Sequence, residues 1–232
     1  MKFIFYTFIL FFSNFIFSQN SNEVIYNTDN SIRRASNSSL SSYGSAVLFH
    51  NPAKKIIGTE YLFDKWNNSA VLYTNTNNNF IVKNVNININ RNSFEAKISQ
   101  DSIFSFNFNN IEKIVINNRV FKNIYSSDGK NIYEVIYETK AFSILKDYKV
   151  ELVSGSPNPM VNRKNDKYVR KVSYVVLKNN QVSPFKLKKS KILKLFNDQK
   201  KVTKLEEYMN SADLSYKKEG DVIKALKYIF KG

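Results

Sequence analysis

Phe80-Ile81-Val82-Lys83-Asn84-Val85-Asn86-Ile87-Asn88-Ile89-Asn90 carries two alternations that are out of phase with each other. In the second half, Val85, Ile87 and Ile89 alternate with Asn84, Asn86, Asn88 and Asn90. A period of two with one aliphatic and one asparagine face predicts a half-buried antiparallel strand. In the first half, Phe80 and Val82 sit on the opposite parity. A one-residue step turns every side chain to the other face. Keeping both apolar sets on one side therefore predicts a bulge or turn at Lys83–Asn84.

The same period recurs on both sides of this stretch. Phe104, Phe106 and Phe108 alternate with Ser105 and Asn107; Tyr133, Val135 and Tyr137 alternate with Glu134, Ile136 and Glu138; Val172, Tyr174 and Val176 form a further set. Short apolar runs lie at 71–73, 114–116 and 120–125. Between them fall Asn77-Asn78-Asn79, 90–93, Asn109-Asn110, Asn117-Asn118, 126–130 and Asn179-Asn180. Asn tolerates positive φ and substitutes for scarce Gly at tight turns. Short strands separated in this way predict a mainly β domain over 46–187: an antiparallel up-and-down sheet, sandwich or open barrel.

From Lys188 the period becomes helical. Ile192, Leu193, Leu195 and Phe196 mark a short first helix. Asp198 is placed to cap a second, whose Val202, Leu205 and Met209 share a face. Val222, Ile223, Leu226, Ile229 and Phe230 form the stripe of a third. Two or three short helices over 188–232 are expected to dock on the sheet.

The N-terminus reads as a signal peptide over 1–18: Lys2, then a phenylalanine-rich apolar run, then Ser18 before Gln19. No later stretch is apolar for the 18 or more residues of a membrane span, so none is expected after cleavage. A polar, serine-rich lead over 19–45 reads as disordered. The chain is accordingly expected to be exported to the periplasm, the outer-membrane periphery or the medium. Against a membrane β-barrel stands the helical patterning at the C-terminal end, where such barrels place an aromatic strand.

Composition excludes several chemistries. The 232 residues contain no Cys and one His, His50. There is thus no disulfide, thiol nucleophile, iron–sulfur cluster or HExxH pair. The six Gly stand at least 12 positions apart, which rules out GxGxxG and P-loop motifs. No GxSxG elbow nominates a serine partner for His50. Ser143-Ile144-Leu145-Lys146 and Ser183-Pro184-Phe185-Lys186 match S-x-x-K, but in strand context and without its companion motifs. Glu134 and Glu138 share a strand face about 13 Å apart, too far for a glycosidase pair, and read as a solvent-facing edge. Trp66 with Tyr61 and Phe63 reads as a core anchor. The reading leans against an enzyme; no cofactor and no metal site is expected.

The formal charge of +16 is unevenly spread. Residues 19–159 carry net +3 and residues 160–232 net +12. Lys186, Lys188, Lys189, Lys191, Lys194, Lys200 and Lys201 form a dense cluster, the candidate site for an anionic lipid, lipopolysaccharide or acidic glycan. Every basic residue from Lys186 onward is Lys, whereas bidentate phosphate recognition favours Arg. The 32 Asn, with abundant Ile, Lys, Phe and Tyr, also match an A/T-rich coding bias. Core-facing aromatics and export argue against nucleic acid. A second candidate is the long loop around Pro157, Asn158, Pro159, Met160, Asn162 and Arg163, whose two prolines break any strand.

Three segments, 58–64 (Gly-Thr-Glu-Tyr-Leu-Phe-Asp), 158–164 (Asn-Pro-Met-Val-Asn-Arg-Lys) and 185–196 (Phe-Lys-Leu-Lys-Lys-Ser-Lys-Ile-Leu-Lys-Leu-Phe), resemble an uncharacterised family of exported Gram-negative bacterial proteins. The resemblance implies a signal peptide, a β-rich middle and a lysine-rich helical tail, and no activity. The expected function is a non-enzymatic binding module of the cell envelope, acting on an unknown protein or envelope component. The alternatives are anion binding through the lysine tail, or hydrolysis at an unrecognised site.

Overall fold

The computed structural model describes residues 25–26, 44–48, 56–127, 129–156 and 165–230. The signal segment, most of the lead, His50 and the loop residues 157–163 lie outside these. Among the described residues the strands are β1 (Ile25–Tyr26), β2 (Gly44–Leu48), β3 (Asn68–Thr74), β4 (Asn79–Asn88), β5 (Ser93–Lys97), β6 (Ser102–Phe106), β7 (Ile111–Ile116), β8 (Arg119–Ser126), β9 (Gly129–Glu138), β10 (Ser143–Val153), β11 (Lys167–Lys178) and β12 (Gln181–Phe185). Three helices follow: α1 (Lys189–Leu193), α2 (Gln199–Ser211) and α3 (Glu219–Phe230). The strands form one sheet, ordered β12-β11-β10-β9-β8-β7-β3-β4-β5-β6-β2, with β1 beside β4. All pairs are antiparallel except β1–β4. Within the stretch read as an unstructured lead, Ile25–Tyr26 pairs with β4 and Gly44–Ser45 with β6.

The bulge predicted in β4 is present. Asn68 lies opposite Val85 and Ser69 opposite Lys83, so Asn84 is the extra residue, with φ 56°. Phe80 and Val82 before it, and Val85 and Ile87 after it, all reach the same core. The bulge also lets the sheet fold over. Phe106 at the end of β6 aligns through Phe94 with Ile87, while Ile111 at the start of β7 lies opposite Thr74, level with the start of β4. In a flat sheet these points would be about 26 Å apart along β4 alone. The five Cα steps between Phe106 and Ile111 reach at most about 18 Å. The β4–β6 end must therefore lie across β3 and β7, and Phe94, Phe104 and Phe106 close the core from that side. The jump from β6 to a place beside β3 is the one departure from an up-and-down order among β3 to β12.

The asparagine face differs from expectation. Asn86 and Asn88 are fully buried. Segment 57–66 lies over them: the Asn86 carboxamide accepts from Phe63 N (3.0 Å) and donates to Phe63 O (2.8 Å). Leu62 N donates to Ile87 O and Ile89 N to Glu60 O. The carboxamide thus pairs as a second backbone, which is how a polar face can be buried without an unmet hydrogen bond. Buried Glu95 beside it accepts from Tyr61 Oη (2.9 Å), Ser93 Oγ (2.5 Å) and Arg91 Nη2 (3.2 Å). Burial first, then the Glu95 charge, push the Tyr61 phenol well above its ordinary range. Trp66 meets Tyr61 edge-on at 4.7 Å.

A second core lies between the sheet and the helices. Ile144, Val176 and Phe185 meet Ile192, Leu205, Met209, Leu226 and Ile229. Asp198 caps α2 by accepting from Lys200 N (2.9 Å), as its position predicts. Tyr137 Oη donates to Leu226 O (3.0 Å), which fixes α3 on β9.

Two of the two-residue hairpins use the expected asparagine pairs. Asn117 and Asn118 have φ 49° and 63°; Asn179 and Asn180 have 52° and 59°. Two residues at positive φ match a type I′ turn, whose twist suits the flanking strands. Asn118→Ala or Asn180→Ala is expected to lose about 1 kcal/mol of stability, while Gly at the same site stays near the parent. Urea unfolding of the four variants checks this; equal losses for Ala and Gly would contradict it.

Candidate functional site: a cleft where two strands part

β9 and β10 pair over a short length, Glu134 with Lys146 through Glu138 with Ser143. Beyond it they separate. β10 continues along β11 to Val153, and the first half of β9 stays with β8. A cleft of about 300 Å³ opens between them. Leu62, Ile87, Ile89, Phe121 and Ile132 form an apolar floor, with Tyr148 and Val150 as one wall. Asn90, Asn92, Asn131 and Lys149 stand at its rim, with Asp147. Asn92, at φ 52°, accepts from Ile132 N (2.8 Å) and donates to Lys130 O (2.6 Å), so its carboxamide covers part of the β9 edge left by β10.

The opening depends on local register. β9 pairs Tyr137 with Ile144 and Val135 with Leu145, which leaves Ile136 as a bulge. Parity flips there, so Glu134 and Glu138 do not share a face. Glu138 is exposed and pairs with Lys122 (2.8 Å), whereas Glu134 is buried on the inner side. The solvent-facing edge expected for Glu134 is thus corrected by one extra residue in the strand.

Glu134 is the centre of a charge network beneath the cleft. Arg119 donates to both its oxygens, from Nε (2.9 Å) and Nη2 (2.8 Å), and lies among the Phe63, Phe121 and Tyr148 rings. Tyr148 Oη donates to Glu134 Oε2 (2.5 Å) and accepts from Arg119 Nη2 (2.6 Å). Lys146 stands 4.0 Å from Glu134 and 2.7 Å from Glu219 at the start of α3, whose carboxylate also accepts from Tyr174 Oη (2.7 Å). Burial alone would raise the Glu134 pKa. The hydrogen bonds from Arg119 and Tyr148 and the Arg119 charge outweigh it, and the carboxyl is held below its usual range. Burial and the adjacent carboxylate push the Tyr148 phenol far up. Two cations face two anions, so the network is electrically balanced; a carboxylate held ionised beside a neutral phenol is a frame for the wall of the cleft.

The seven lysines of the anion candidate are all exposed. Lys189 pairs with Glu206 (2.7 Å), which ties α1 to α2 and raises the Lys189 pKa. Lys201 lies over the Phe230 ring (4.9 Å). Ser143 and Lys146 are strand residues, Lys146 held by Glu219. Among the described residues no three His, Asp or Glu gather as a metal site. No helix there is long and apolar enough to cross a membrane. The cleft itself was missed from sequence. The signal for its wall was present in 147–151, where Tyr148 and Val150 alternate with the charged Asp147, Lys149 and Glu151.

Comparison with protein families, with curated proteins and with solved structures finds no match for this chain.

Because the Glu134 pKa is lowered on folding, its stabilisation is complete above the ordinary carboxylate range, near pH 4.3, and is lost as pH falls through the lower folded value. Glu134→Gln leaves Arg119 partly unpaired and is expected to cost about 3 kcal/mol at pH 7. Urea midpoints of parent and variant from pH 7 down to 3 should converge toward acid. A pH-independent difference would show that the charge of Glu134 is not what matters.

Proposed function

We propose that the protein is a non-enzymatic binding module of the cell envelope that takes its ligand in the cleft between β9 and β10. The observation that carries this reading is the apolar floor reached past an amide rim, the usual make-up of a small-molecule site. Its volume is at the lower end for such sites, about ten waters' worth of space. The ionisable groups beneath it are committed to one another, which favours binding over proton transfer. Export and envelope location rest on the pattern of residues 1–18 and on the resemblance to exported Gram-negative proteins.

Titration with the apolar fluorophore N-phenyl-1-naphthylamine tests the reading. Ile89 is a partly buried residue of the floor, and Ile89→Trp fills the space. The variant is expected to bind at least about tenfold more weakly, on the basis of roughly 1.4 kcal/mol of lost apolar contact, with an unchanged thermal midpoint. Equal binding by the two proteins would place the ligand elsewhere.

A second reading is anion binding by the tail. Of the seven lysines, Lys189 alone forms an ion pair among the described residues, which leaves a cationic face toward solvent. This reading predicts salt-sensitive attachment to vesicles containing phosphatidylglycerol. Charge reversal at Lys188, Lys191, Lys194 and Lys200 should abolish it, and undiminished attachment would remove the reading.

A further inference from the structure

Resting on the cleft reading, we infer that the ligand is a single-chain amphiphile: a linear hydrocarbon chain with an uncharged polar head. The apolar surface does not end at the cleft. Tyr148, Val150 and Leu152 follow one another on one face of β10, and Val172 of β11 lies directly opposite Tyr148 on that face. Leu152 is 51% and Val172 52% exposed. Both stand on the side that the helices cover further along, at Ile144 and Val176. A row of apolar side chains thus leads out from the apolar floor of the cleft, with Arg170 beside it opposite Val150, and this elongated form fits a linear chain better than a broad ring system.

The polar surroundings select the head. Asn90, Asn92 and Asn131 line the rim with uncharged carboxamides, which already donate within the protein to Glu60 (3.4 Å), Lys130 O (2.6 Å) and Ser126 Oγ (3.2 Å), and the two charges there, Asp147 and Lys149, are of opposite sign. The other cations are engaged: Arg119 by Glu134, Lys146 by Glu219, and Arg170, opposite Val150 on the face of the strip, by Tyr61 O (2.6 Å) and Asp64 (3.7 Å). No surplus charge awaits an ionic head. An extended peptide added as a strand fits less well, because the Asn92 carboxamide already occupies Ile132 N and Lys130 O on the β9 edge.

The test displaces N-phenyl-1-naphthylamine from the full chain with octyl, decyl and dodecyl maltoside, each below its micelle concentration. Displacement is expected to tighten roughly fourfold per added methylene, the value for burying a CH₂ group. Leu152→Ser with Val172→Thr, both at exposed positions, should leave octyl maltoside unchanged and reduce the gain for the dodecyl compound. Dodecanoate and dodecyltrimethylammonium should displace less well than the maltoside of equal length. Displacement that is flat in chain length, or stronger by either ionic head, overturns the inference while fluorophore binding keeps the cleft as a site. Failure of the fluorophore to bind the parent protein overturns the cleft reading, and this inference with it.

Discussion

At Asn84 the backbone takes a φ of 56°, and that one residue lets β4 keep its apolar side inward while it turns from one layer to the other. Without the extra residue, either Phe80 and Val82 or Val85 and Ile87 would face water. Burying such side chains is the main favourable term in folding, so the bend and the core are one requirement. The fold-over of β5 and β6, the short link to β7 and the contact of three phenylalanines with the strands opposite all follow from it. In a chain without cysteine no covalent tie shares this load.

The bulge was legible because parity is a strict signal: a strand has two faces, and the apolar residues change face between Lys83 and Val85. The tight turns were legible for a similar reason. Asn117-Asn118 and Asn179-Asn180 are residues that accept positive φ, placed between apolar runs. The helical tail announced itself through Asp198 and through the stripe from Val222 to Phe230.

The buried asparagines were not legible. Alternation shows that a face is polar, and only tertiary structure shows that it is covered; segment 57–66 had no periodicity to mark it as the cover. Glu134 was misread for a related reason. The bulge at Ile136 follows no change of polarity, since Tyr133, Val135, Ile136 and Tyr137 are apolar or aromatic on either parity. The cleft lies one step further from sequence, because it is a place where pairing stops. Hydrogen bonds that strands do not make leave no pattern in the residues beside them.

Segment 57–66 joins distant parts of the chain. Ile57 exchanges two backbone bonds with Asp166 and Tyr168, both 2.9 Å, and Arg170 Nη2 donates to Tyr61 O at 2.6 Å. These partners are about 110 positions apart in the chain, so the attachment closes a very long loop for a handful of contacts near the surface. Regions of that kind open locally well before the whole molecule unfolds. Leu62 of the cleft floor is on the same segment. The outer end at Ile57 can therefore part from β11 without disturbing either core, whereas the floor of the cleft loosens only when Leu62 gives up its bond to Ile87 O and its place in the first core.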